Sequence, residues 1–193
     1  HSPFEQLAAA FSSMSSFFWD DPVLFFGQSI PADQLPWWYL EGWIMVTTPL
    51  FNLLLFFTGV MLLLVGTIRS VLQWKWTDQI VRMLVISVLW LAPLLMVIIL
   101  NSVLYDGWRQ VFFIYPFVLV MAMYALMEIH QRLTATRLKH AFVTLCFLIV
   151  GYTGVKMIID HPFQHVYFNE AVPRNDEYVR HHFEMDYWGT SFY

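Results

Sequence analysis

Charge is what this chain has least of. Of its 193 residues only 12% are charged while 59% are hydrophobic, against roughly 25% and 45–50% in a soluble domain. So few charges cannot coat a single soluble core, and an integral membrane protein follows. A basic excess is missing as well: 10 Lys+Arg stand against 14 Asp+Glu, a net charge of −4. Nothing is left over to neutralise phosphates along a nucleic acid, which excludes that partner. The single cysteine, Cys146, excludes an intrachain disulfide framework and a cysteine-built zinc site, and reads as a small buried residue of a span. A glycine-rich phosphate loop, a Ser/His/Asp order, a paired-His metalloprotease signature and internal repeats are also lacking. The chain opens on His1 with no basic segment ahead of an apolar one, so no secretory signal is visible, and a fragment or trimmed product is expected.

What is present is length in apolar runs. Crossing the hydrocarbon layer takes roughly 20 apolar residues, and four stretches reach that length when charges are taken as boundaries: about 43–68, 83–101, 111–128 and 141–159. Trp37, Trp38, Tyr39 and Trp43 at the start of the first resemble an aromatic belt at headgroup level. Lys156 lies near enough to the end of the fourth to snorkel. Pro49, Pro93 and Pro116 fall within spans and are expected to kink them. Arg69, Lys75, Arg82, Arg132, Arg137 and Lys139 gather on one side, six of the ten basic residues, whereas 12 of the 14 acids fall on the other. Basic loops stay cytoplasmic, so both termini are expected outside.

Outside the spans, Phe4, Leu7, Phe11, Met14, Phe17 and Phe18 recur at helical spacing over 4–19, as in an amphipathic helix lying in the interface. Asp20-Asp21-Pro22 stops it. The tail 160–193 is dense in aromatic and histidine residues, which suits a structured cap better than a linker. The expected fold is an all-α integral membrane protein: an outer N-terminal segment 1–42 with its interfacial helix, a four-helix membrane domain 43–159, and an outer aromatic C-terminal cap 160–193.

Chemistry is expected on the acidic outer face. Arg109, followed by Gln110, heads the third span where a guanidinium could grip a lipid phosphate bidentately; the alternative is an interfacial anchor or an ion pair with Asp106. His161, His165 and Asn169, with Asp186, Tyr187 and Trp188, complete the outer candidate site. His161 and His165, and the run His181-His182-x-Glu184-x-Asp186, carry metal-ligand atoms, but Pro162 interrupts the first pair and no cysteine supports them, so no metal centre is expected. Asp20-Asp21 reads either as a general base or divalent-cation ligand, or as a plain helix stop. No cofactor is required by these residues.

The order LPWWYLEGWIMVTTPL, LYDGWRQVFFIYPF, HPFQHVYFNE and FEMDYWGTSF resembles the C-terminal membrane half of bacterial glycosyltransferases of family 39, members of the GT-C superfamily related to protein mannosyltransferases and aminoarabinose transferases. The resemblance covers nearly the whole chain, and its most specific pieces are DGWRQ leading to YP and the paired HPFQHVYFN and DYWG motifs. It implies transfer of a sugar from a polyprenyl-phosphate donor on the periplasmic or extracellular side of a bacterial inner membrane. It places Arg109 at the donor phosphate and Asp186, Tyr187 and Trp188 near the acceptor. Such enzymes keep their catalytic acid in an N-terminal half that has no counterpart here, so it also implies that this chain is not catalytic alone. The competing expectation is an accessory or structural subunit packed by its Phe- and Met-rich spans against other membrane proteins. A transporter is disfavoured, because the first two spans are uncharged and no inverted repeat exists. Membrane lipids are partners under every reading.

Overall fold

The computed structural model describes residues 3–6, 19–173 and 175–185, with His165 described by its main chain only. Four helices are long and apolar enough to cross a membrane: α2 Leu50–Gln73, α3 Asp78–Ile99, α4 Tyr115–Arg132 and α5 Thr136–Ile159. The protein is thus an all-α integral membrane protein. Around the start of α2 sits a small cap built from a two-stranded hairpin (β1 Val23–Phe25, β2 Gln28–Ile30), the short helix α1 Tyr39–Thr47, 3-10 turns at Arg109–Ile114 and Gln164–Val166, and α6 Asp176–His182. Residues 3–6 are helical; the rest of the expected interfacial helix lies outside the described residues, except Trp19, which is not helical.

Charge-defined boundaries cut the spans short. The helices run on through Asp78 and Arg82 and through Arg137 and Lys139, because charged side chains at helix ends reach the interface without breaking the backbone ladder. The first span is displaced instead. Residues from Tyr39 to Thr47 form a separate helix, and α2 begins only at Leu50. Proline explains this: Pro49 holds Thr48 in extended backbone at φ −96° and ψ 134°, as a residue preceding proline must be, and two helices replace one kinked helix. Pro116 lies in the first turn of α4, where its missing N–H is not needed, and so starts that helix instead of kinking it. Of these three prolines, only Pro93 stands in a helix interior, that of α3.

Three of the spans pack as a bundle. Gly59 of α2 lies directly against the main chain of Met121 in α4, and no larger residue allows that approach. Asn52 bonds Tyr115 at the cap end, and Phe56 meets Trp90 edge-on. At the far end Gln79 and Arg132 both donate to Glu128, at 3.0 and 2.8 Å. The fourth span differs: no residue of α5 is buried, and its apolar side chains spread round its whole circumference.

The cap has a core of its own. Val23, Phe25, Tyr39, Trp43, Trp108 and Phe183 are buried together, so Tyr39 and Trp43 belong to this core and not to a headgroup belt, while Trp37 is 70% exposed. The hairpin turn uses positive φ at both Phe26 and Gly27, the geometry that matches strand twist. Phe26 holds it by packing against Trp38 and Phe183, and Gly27 N–H donates to the His182 carbonyl at 3.0 Å. A β-bridge joins Phe25 to Phe183.

Candidate functional site

At the junction of cap and bundle lies a cavity of about 480 Å³, lined among others by Trp43, Asp106, Trp108, Tyr115, Tyr167 and Glu184. Its floor is made by the turn between α3 and α4. Asp106 and Gly107 both have positive φ, 54° and 74°, which aims the Gly107 N–H at the Tyr39 hydroxyl, 3.2 Å away. Trp108 is fixed next to it by donating its indole N–H to Thr47 Oγ1 at 2.9 Å. The same turn brings Arg109 back to Asp106, Nη2 to Oδ2 at 2.6 Å, with its guanidinium 4.9 Å from the Tyr105 ring centre. Tyr105 in turn stacks on Trp19 at 4.0 Å. Arg109 is therefore ion-paired with Asp106.

Glu184 forms the opposite wall. Its Oε1 accepts weakly from the Leu24 amide, 3.4 Å away. Burial pushes its carboxyl up to about 7, helped by the Asp106 charge and opposed by the Leu24 amide and Arg109. Burial also raises Asp106, against the pull of Arg109. Tyr39 is raised by burial first and by Glu184 second. Asp106 and Glu184 thus line one cavity, with the Arg109 guanidinium on Asp106 and the Tyr39 hydroxyl accepting from Gly107 beside it, and near pH 7 Glu184 passes readily between its charged and neutral forms.

The remaining candidates fall elsewhere. Gln110 is exposed and donates to the Tyr105 carbonyl at 2.8 Å. His161 lies behind Tyr167, on a neighbouring cavity of about 550 Å³ that it shares with Lys156 and Asp176, and its Nδ1 pairs with Gln164 at 2.9 Å. Asn169 is a bracket: its side-chain amide donates to the Met45 and Thr48 carbonyls at 2.6 and 2.7 Å, its Oδ1 accepts from Ala171, and its own N–H reaches the Val46 carbonyl. It satisfies the carbonyls that the end of α1 leaves open, and those bonds absorb its polar atoms. Asp20 and Asp21 are exposed. His182 stacks on Tyr178 and bonds its carbonyl. Among the described residues no three His, Cys, Asp or Glu converge as a metal site would require. The His165 side chain and Asp186, Tyr187 and Trp188 lie outside the described residues.

Sequence reasoning had Arg109 and Asp106 but read Glu184 only as a metal-ligand atom and missed Tyr39, Trp43 and Tyr167. The usable signal was an acid set between Phe183 and Met185, in a stretch otherwise fit for a core. No family model matches the chain, and neither a curated protein nor a solved structure matches it.

Proposed function

We propose that this chain is the donor-binding membrane part of a glycosyltransferase that uses a polyprenyl-phosphate-linked sugar, with its cap on the periplasmic or extracellular side of a bacterial inner membrane and without catalysis by itself. One observation carries the reading: an aromatic cavity sits where the spans meet the cap, with the Asp106 and Glu184 carboxyls at its walls and Arg109 held against Asp106. Sugars suit such a lining, since ring faces lie on Trp and Tyr while hydroxyls bond carboxyl and amide groups. A guanidinium carries five donors, so Arg109 can hold Asp106 and a phosphate oxygen together. The side assignment follows the six basic residues grouped at the opposite end of the helices.

The test is binding of a polyprenyl-phospho-hexose to the whole chain in lipid nanodiscs. Arg109→Ala is expected to weaken it at least tenfold, as loss of a charge-assisted contact should; equal affinity removes the phosphate role. A second reading, an accessory subunit of a larger membrane assembly, is favoured by α5, whose residues are all left unburied. Co-migration with fixed partners at constant stoichiometry after gentle purification supports it, and a monodisperse lone species that binds the donor rejects it.

A further inference from the structure

At the end of the bundle away from the cap, α2 and α3 are joined by four residues, Trp74 to Thr77, all of them exposed. Trp74 is 88% exposed, more than any other large apolar side chain among the described residues, and Trp76 is 48% exposed. The turn is fixed nonetheless. Lys75 N–H donates to the Ser70 carbonyl at 3.1 Å, and Thr77 Oγ1 caps α3 by accepting from the Ile80 amide at 3.3 Å. Trp74 closes α2 in the left-handed region, φ 52° and ψ 31°, where glycine is the usual residue because a side chain is strained there. An indole is thus held at a costly backbone position although it joins none of the apolar cores. Positive charge gathers at the same level. Arg69 stands four residues before the end of α2 and Arg82 four after the start of α3, so each lies about 6 Å from the turn at a rise of about 1.5 Å per residue. One headgroup layer is roughly 5–8 Å thick. Arg69, Lys75 and Arg82 make no ion pair among the described residues. Asp78 is the one acid between Arg69 and Arg82, and Glu128 of α4 is already held by Gln79 and Arg132.

We propose that the Trp74-Lys75-Trp76 turn, with Arg69 and Arg82, is a binding site for an anionic glycerophospholipid. The flanking helices select a lipid: the turn joins two spans end to end, so the headgroup layer is what surrounds it. Charge selects the class of lipid. Three cations against one acid leave a positive excess, which a phosphodiester answers and a zwitterionic head, carrying its own ammonium, does not. The indoles set the depth, with their rings among the first acyl carbons and their N–H groups, unclaimed by the described residues, donating to phosphate or ester oxygens. The site lies at the other end of the helices from the cap and is independent of what the cap binds.

The test titrates the whole chain, purified in a nonionic detergent, with phosphatidylglycerol and with phosphatidylcholine of the same acyl chains, and reads bound lipid by native mass spectrometry. Phosphatidylglycerol should bind at least tenfold more tightly, since each basic residue near the surface contributes about fivefold. Arg69→Gln, Lys75→Gln and Arg82→Gln together should lower it to the phosphatidylcholine level. Arg137→Gln with Lys139→Gln, which removes charge from the start of α5 at the same end, should leave the preference unchanged. An equal loss from both sets overturns the site and leaves only a diffuse basic face. Where the triple variant does not fold, Trp74→Gly decides. It relieves the left-handed backbone, so the thermal midpoint should hold or rise while phosphatidylglycerol affinity falls severalfold. A lower midpoint with affinity intact makes the ring structural and overturns the proposal. Equal affinity for the two lipids overturns it too, as does a chain that pairs with a second copy through this turn, seen as dimers that Trp74→Gly dissolves.

Discussion

The cap and α5 are built from the same apolar alphabet and bury it in opposite ways. In the cap, Phe25, Trp43, Trp108 and Phe183 press ring on ring, as at 5.5 Å between Trp43 and Phe183, and Tyr39 is 1% exposed. In α5, Phe147 and Leu148 are 74% and 65% exposed. The cap answers to water, which penalises every exposed ring. Helix α5 answers to lipid, which rewards apolar surface without asking it to pack against protein. Composition alone does not distinguish the two; the solvent each region faces does.

That contrast breaks most sharply under large-to-small substitution. Trp43→Ala should cost about 3–5 kcal/mol of cap stability, whereas Leu148→Ala should stay within about 0.5 kcal/mol. Thermal unfolding in detergent, followed by Trp fluorescence, checks the pair; equal losses would mean that α5 has protein neighbours. A smaller effect separates the glycines. Gly59→Val forces α2 away from the Met121 main chain and should cost about 1–3 kcal/mol, while Gly154→Val, with nothing near it, should be silent in the same assay.

The gentlest probe is pH. Burial raises the Glu184 carboxyl from 4.5 to about 7, so between those values the folded cap binds a proton that the unfolded chain has released. Stability must then fall as pH climbs from about 4.5 to about 7 and level off above. Glu184→Gln should flatten that slope, and a slope unaltered by the change would assign it to another group.

The spans were legible in the sequence because hydropathy over 20 residues needs no tertiary knowledge, and the grouping of basic residues at one end survives in the structure. The break at Thr48–Pro49 was not, since proline inside an apolar run kinks a helix or ends it according to what donates to the freed carbonyls. Here the donor is Asn169, far along the chain. The aromatic run from Trp37 to Trp43 was ambiguous for a similar reason: a ring at a membrane boundary and a ring in a small core share a spelling, and the packing of Phe25 and Phe183 decides. Within the site, Asp106 and Arg109 were legible because three residues in one turn meet whatever the fold. Glu184 gains its raised carboxyl from burial in the cap and from the distant Asp106 charge, which no local pattern names.

The bracket made by Asn169 also orders events in time. The cap draws on residues 23–47, on the turn 104–114 between α3 and α4, and on residues 164–185. A ribosome therefore releases Phe25, Tyr39 and Trp43 long before it releases Asn169 and Phe183. Until all four spans are threaded, those rings have no lid and the end of α1 has no partner for its carbonyls. Closure of the cap is thus a late event in biogenesis, and a chain arrested before Asn169 would carry complete spans beneath an unfinished, sticky head.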